Sequence, residues 1–340
     1  MSPEALRKTR DQVKSTIYES FEKKRKELKI DKKLDEELLS VYIPLAEYII
    51  AQAEKNKSDN DSDTYFCALS GAQGSGKTTW NEFLQLIIEE GYEYDVAGFS
   101  IDDVYNTYDE RQKLAQDHHP LLATRGPGTH DIDLTIKVLE NLSASGDGRE
   151  VIIPQFDKSL KGGAGDRAEE GRTYRRRHFN KPLIVILEGW NVFAEAQDES
   201  ALLEPLNELE RIEDPDGIWR KFQNDRLKND YSRLWDKFDG CIFIQISGID
   251  TVYKNREEQE EKLRKKIDTM KAAGEASEEV GAMSPQQVVR FVDHYARITK
   301  EILRTLPQRA NVVVELNDDR SIKRTYVNVD STGAKVTEDL

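Results

Sequence analysis

The chain has 340 residues, with 50 Lys and Arg against 64 Asp and Glu, a net charge of −14 and a pI near 5.1. That length can bury a substantial core, while the acidic balance argues against a nucleic-acid-binding surface and no apolar run approaches a membrane span. The charged stretch Met1 to Ile30 fits neither a secretory signal nor an acid-poor transit peptide, and Cys67 and Cys241 lie in apolar runs without metal-site spacing. A cytosolic protein with buried, reduced thiols is expected, with the nucleus left open.

Residues 1–60 read as a helical N-terminal extension packing on a domain that spans residues 61–340. Leu34, Leu38, Leu39, Tyr42, Leu45 and Ile49 recur every three or four residues and predict one apolar helix face. The run Asp11 to Lys33 is so charged that a solvated or frayed helix is expected, and Lys57 to Asp63 reads as a polar linker. Tyr65 to Leu69 then predicts a buried strand, and Thr79 to Ile88 an amphipathic helix. Between them stand Gly71, Ala72, Gln73, Gly74, Ser75, Gly76, Lys77 and Thr78, which match G-x-x-x-x-G-K-[ST]. In such a loop, backbone N–H groups line a hollow at a helix N-terminus and hold the phosphates of a nucleotide. The lysine reaches the β- and γ-phosphates, and the hydroxyl of the last residue can ligate Mg²⁺.

Val96 to Ile101 predicts a second strand, ending at Asp102-Asp103. A helix near Asp133 to Leu142 and a short strand at Val151 to Pro154 follow. Leu183 to Leu187 is the strongest buried strand and runs into Glu188-Gly189; Cys241 to Ile246 and Val312 to Leu316 are further strands. Arg256 to Lys271 and Ser284 to Leu306 read as helices. Near-continuous apolar strands alternating with helices indicate an α/β fold: a doubly wound, mainly parallel sheet flanked by helices.

Phosphoryl transfer needs a carboxylate near the metal and a group that handles the acceptor. Glu188, directly after the central apolar strand, stands where a Walker-B acid would be, at the carboxyl end that faces a phosphate loop. Asp102 and Asp103 end the second strand, where alternation lets one of them address the cleft, and Asp102 is preferred as general base. Three loops then carry charge suited to a substrate: Arg125 to Asp131, with Arg125, His130 and Asp131; Pro154 to Ser159, with Asp157 and Lys158; and Gly162 to Arg167. Arg167 is a candidate bidentate clamp for a carboxylate, and His130-Asp131 could equally cap the helix that follows. The basic run Arg172 to His178 reads as a solvated loop, and Arg256 and Arg264 are candidate lid arginines on a charged helix.

Taken in order, GAQGSGKTT, SIDDVY, RGPGTHD, PQFDKSLKGGAGDRA and ILEGW strongly resemble the D-glycerate 3-kinase family, including its fungal kinase-like members. That family belongs to the uridine kinase, phosphoribulokinase and pantothenate kinase group of phosphate-loop kinases. The resemblance runs from about Tyr42 to about Leu316. It implies ATP and Mg²⁺ as cofactors, a small-molecule acceptor, and phosphate binding through Gly71 to Thr79. It implies Lys77, Asp102 and Glu188 as catalytic residues, Thr78, Asp102 and Glu188 on the metal side, and Asp102 as the base of the motif that also holds Asp103 and Tyr105. Val104 departs from the aromatic residue usual in that motif, and the Gln197 to Asp216 segment is expanded. The expected function is transfer of the γ-phosphate of ATP to a hydroxyl of a small anionic acceptor, D-glycerate foremost. Another small alcohol, or nucleotide binding without catalysis, is the alternative. A GTPase switch is excluded, because the N-K-x-D match at Asn56 to Asp59 precedes the phosphate loop and Asp95 to Gly98 enters a strand instead of leaving one.

Overall fold

The computed structural model describes residues 8–60, 62–272, 282–329 and 335–339; the first seven residues of the expected extension lie outside the described residues. Helices α1 (Arg10–Glu27) and α2 (Ile43–Asn60) precede strand β1 (Thr64–Gly71), helix α3 (Lys77–Leu86) and strand β2 (Val96–Ser100). Helix α4 (Ile132–Ser143) leads to β3 (Glu150–Ile153), β4 (Arg172–Arg175) and β5 (Leu183–Gly189). After α5 (Ile218–Arg226) come β6 (Gly240–Gln245), α6 (Ile249–Ala272), α7 (Pro285–Thr305), β7 (Val312–Leu316), β8 (Ile322–Val329) and β9 (Lys335–Asp339).

The main sheet among the described residues has seven strands in the order β9-β8-β7-β6-β1-β5-β2. The five from β2 to β7 are parallel to their neighbours, and β8 and β9 add antiparallel at one edge. Every residue of β5 is buried, because both faces of the sheet are covered. Ile184 and Ile186 join one core with α1, α2 and α3; Leu183, Val185 and Leu187 join the other with α4 and α7. Cys67 and Cys241 are buried and unpaired, and burial pushes the Cys67 thiol up to about 12, so both remain inert thiols.

Three expectations need correction. The charged run Asp11 to Lys33 is not frayed over α1, and the helix is solvated on its charged faces only: Thr9 and Gln12 form a reciprocal cap, and Val13, Ile17 and Phe21, each four residues apart, are at most 1% exposed. Phe21 packs 4.4 Å from Phe83 of the phosphate-loop helix α3, and Lys24 pairs with Glu82 of the same helix at 2.8 Å. A stripe of three apolar residues suffices to dock a helix whose other faces are charged. The linker expected at Lys57 to Asp63 starts later, since α2 continues to Asn60.

The third correction concerns the basic run. Arg172–Arg175 is strand β4, paired antiparallel with β3 in a ribbon separate from the main sheet. Arg176 is buried and paired with Asp63 at 2.6 Å, and Arg177 reaches Glu89 at 3.2 Å. Arg172 donates to the Gly98 carbonyl on edge strand β2, while the Gly98 N–H donates to Gln85 Oε1 at 3.1 Å. The run therefore closes the sheet edge, with carboxylates supplied from distant parts of the chain.

Phe21→Ala removes the largest apolar group at the α1–α3 contact and should destabilise the protein by about 3–5 kcal/mol in urea or thermal unfolding. A loss below about 1 kcal/mol would show that α1 does not depend on that contact.

Candidate active site

The carboxyl ends of the parallel strands meet at one edge, and register fixes what stands there. Glu188 of β5 lies opposite Leu69 of β1 on one side and Ser100 of β2 on the other. The phosphate loop leaves β1 at Gly71 and enters α3 at Lys77. Gly74 has φ +77°, and a Cβ there would lie 3.1 Å from the Asn255 side chain of α6, so loop curvature and helix packing both require glycine. The Ser75 N–H donates to the Ala72 carbonyl at 3.1 Å, closing the turn.

A cleft of about 600 Å³ opens over this loop. Gln73, Gly74, Lys77 and Thr78 form its floor; Ser100, Asp102, Asp103 and Tyr105 line one side, with Glu188 and Trp190 beside them. Val252, Arg256 and Gln259 of α6, Phe291 and Tyr295 of α7, and Arg125, Phe156 and Lys158 complete the lining. Thr79 lies in the first turn of α3 and does not line the cleft. A second cavity of about 440 Å³ behind Thr78 and Glu188, between α3 and β2, is reached by Lys24 of α1.

Thr78 Oγ1 donates to one Glu188 carboxylate oxygen at 3.2 Å; the other oxygen, also buried, meets no donor in hydrogen-bonding geometry. Burial raises the Glu188 pKa, against the pull of Lys77. The strand-alternation argument does not sort Asp102 from Asp103, because β2 ends at Ser100 and Ile101–Val104 is a single 3₁₀ turn. Both aspartates line the cleft, and their partners separate them. Asp103 accepts from the Ser100 N–H at 3.0 Å as a cap, and burial raises its pKa. Asp102 accepts from Lys158 Nζ at 2.7 Å. Burial alone would lift its carboxyl, but the charges of Lys158 and Lys77 outweigh that and hold it below the ordinary carboxylate value.

Of the charged loop residues, Arg125 and Lys158 reach the cleft; the others support it or lie elsewhere. Arg125 packs against the Phe156 ring, 5.8 Å from its centroid, and its buried Nη1 has no hydrogen-bond partner. Gly165, φ +77°, makes room for both: a Cβ there would lie 2.4 Å from Phe156 and 3.2 Å from Arg125 Nη1. Arg167, the expected clamp, is occupied instead with Asp131 and the Tyr105 carbonyl, each at 3.1 Å. Asp131 also caps α4 by accepting from the Leu134 N–H at 2.9 Å. His130 lies beneath the cleft, stacked 4.1 Å from Tyr105, with Nδ1 2.5 Å from the Tyr231 hydroxyl. Asp157 turns back to Ser159 at 2.8 Å. On α6, Arg256 lines the cleft, bonded to Glu260 and 4.6 Å over the Phe291 ring, whereas Arg264 is exposed and donates to the Met283 carbonyl.

Sequence reasoning missed Trp190, Phe291, Tyr295 and Arg111. The sequence pattern assigns no role to the three aromatics, although Trp190 stands two residues after Glu188. Arg111 is fully buried and donates to the backbone carbonyls of Asn106, Ala123, Ala164 and Gly165, tying together the loops around the acceptor end.

Burial holds His130 at about 3 and His294 at about 4, below the usual 6.5, so both rings are neutral at physiological pH. The unfolded chain takes up the protons, so the stability they contribute is complete above pH 6.5 and is lost as pH falls towards the folded values. From pH 7 to pH 5 each should cost about 2 kcal/mol. Urea unfolding of His130→Gln should lose about 2 kcal/mol less than wild type over that interval, and equal losses would mean that His130 is protonated in the fold.

No family model matches the chain. The kinase mug58 of Schizosaccharomyces pombe is 33% identical over 236 residues, 68% of this chain and 78% of that one. TDA10 of Saccharomyces cerevisiae, named as a probable ATP-dependent kinase, is 31% identical over 245 residues, 68% of this chain and 74% of that one. The solved structure of D-glycerate 3-kinase from Cryptococcus neoformans superposes with a TM-score of 0.65 at 25% identity, covering 84% of this chain and 98% of that one. With a phosphate loop at the carboxyl edge of a mostly parallel sheet and relatives of this similarity, the chain belongs to the D-glycerate 3-kinase family of phosphate-loop kinases and is an ATP-dependent kinase.

Proposed function

We propose that the enzyme transfers the γ-phosphate of ATP to a hydroxyl of a small hydroxy acid, with D-glycerate as the favoured acceptor. The observation that carries this reading is Arg125: a guanidinium whose buried Nη1 is unpaired, in the same cleft as Lys77 and Asp102. A buried N–H without an acceptor is costly, and a substrate carboxylate would satisfy it through a charge-assisted hydrogen bond. The family name carried by the Cryptococcus structure agrees with an acceptor of that charge.

In this reading the phosphate-loop N–H groups and Lys77 hold the β- and γ-phosphates, with the N-terminus of α3 favouring their charge. Asp102 stands at the acceptor side and is kept ionised by Lys158, as a base requires. It orients the acceptor hydroxyl and takes its proton as the oxygen bonds to the γ-phosphorus and ADP leaves. Arg256 lines the same cleft as Lys77, and its charge would stabilise the transferring group. The donor set suits Mg²⁺: hard oxygens from Thr78, Glu188 and Asp102, one Glu188 oxygen being unpaired. Mg²⁺ bound there would neutralise charge on the phosphate oxygens.

A coupled ADP-release assay over D-glycerate, pantothenate, uridine and ribulose 5-phosphate tests the acceptor, with stimulation expected from D-glycerate; its absence there and presence with another alcohol would replace the substrate. Lys77→Ala should reduce turnover more than tenfold, and a smaller loss would remove that cation from the mechanism. Asp102→Asn should cut kcat by roughly 10² or more with nearly unchanged ATP affinity. If Asp103→Asn behaves so and Asp102→Asn does not, the base is Asp103.

A further inference from the structure

The guanidinium that carries the acceptor reading is held by a ring instead of an acid. Arg125 is half-buried, lines the cleft and makes no side-chain ion pair among the described residues. Its guanidinium carbon lies over the Phe156 ring, 5.8 Å from the centroid. Arg111 lies over the same ring at 5.3 Å, and its own donors are taken by four backbone carbonyls. Those bonds fix Arg111 without the ring, whereas the Arg125 side chain has no such tie. Phe156 is itself fixed: Tyr105 meets it edge-on at 5.4 Å, and a Cβ on Gly165 would lie 2.4 Å from it.

An acid in that place would neutralise Arg125, as Asp131 at 3.1 Å does for Arg167. A ring face attracts a cation through its quadrupole and leaves the charge uncompensated. Two guanidiniums over one ring also repel each other. Burial, and after it the charge of Arg125, lowers the Arg111 pKa, and the charge of Asp166 offsets less than Arg125 contributes. A carboxylate entering the cleft beside Arg125 relieves that repulsion and accepts from the guanidinium. We propose that Phe156 is the positioning residue for Arg125: its ring holds the guanidinium towards the acceptor carboxylate without neutralising it, so that the pair selects an anionic alcohol. This rests on the acceptor reading above.

The test replaces Phe156 with phenylalanines carrying one, two and three ring fluorines, which nearly keep the ring's shape and weaken its hold on a cation step by step. KM for D-glycerate should rise at each step, by about threefold to tenfold across the series, with kcat and KM for ATP changed less than about twofold. A ring that only fills space leaves KM flat across the series, and a flat series overturns the proposal. So does a rise matched by an equal rise in KM for ATP, which marks general disorder of the cleft. Arg125→Ala separates this proposal from the reading beneath it, and should raise KM for D-glycerate more than about tenfold. If it does and the fluorine series is flat, only the role of Phe156 falls. If Arg125→Ala leaves KM unchanged, the acceptor reading falls and this proposal with it. Should another hydroxy acid replace D-glycerate as acceptor, the series is read on its KM; an enzyme that takes only uncharged alcohols overturns both.

Discussion

The register of three parallel strands is the constraint on which the site depends. Because β1, β5 and β2 run the same way, their carboxyl ends share an edge, and Leu69, Glu188 and Ser100 stand at one level. The loop after β1, the acid near the end of β5 and the turn after β2 therefore converge through the strand ladder, and the Thr78–Glu188 hydrogen bond joins two of them across the edge. A slip of one residue in β5 would turn Glu188 to the opposite face and exchange its two apolar sets between the cores. Two cores, one on each face, resist that slip, so packing far from the cleft sets the position of the chemistry.

The acceptor half is built differently. Its residues come from loops, and loops need ties in place of a ladder. Asp131 caps α4 while holding Arg167, Arg167 reaches the Tyr105 carbonyl, and Tyr105 rests on His130, which in turn meets Tyr231. Several polar residues that carry charge in the sequence are used up in this scaffold. Arg125 differs from Arg167 in that it lines the cleft with its buried Nη1 unpaired, whereas Arg167 is held by Asp131.

Much of the nucleotide half was legible in the sequence, because it rests on local rules. A glycine-rich turn between an apolar strand and an amphipathic helix, or an acid at the end of an apolar run, is written in consecutive residues. The acceptor half was legible only as a set of loops. Nothing in the spacing tells Arg125 from Arg167, since the difference is whether a carboxylate 36 residues away has claimed the side chain. Trp190 and Tyr295 lie far apart in the chain, and only the fold brings their rings together at the cleft. Charge counting failed at α1 and at β4, where a few apolar residues or distant acids decide the outcome.

Arg111 gathers the acceptor loops through the carbonyls of Asn106, Ala123, Ala164 and Gly165. Every residue type offers a carbonyl, so Arg111 itself reads no side chain of the loops it holds, and of the four positions Gly165 is fixed by its own φ and by Phe156. A side-chain change at Asn106, Ala123 or Ala164 therefore leaves the staple's own bonds in place.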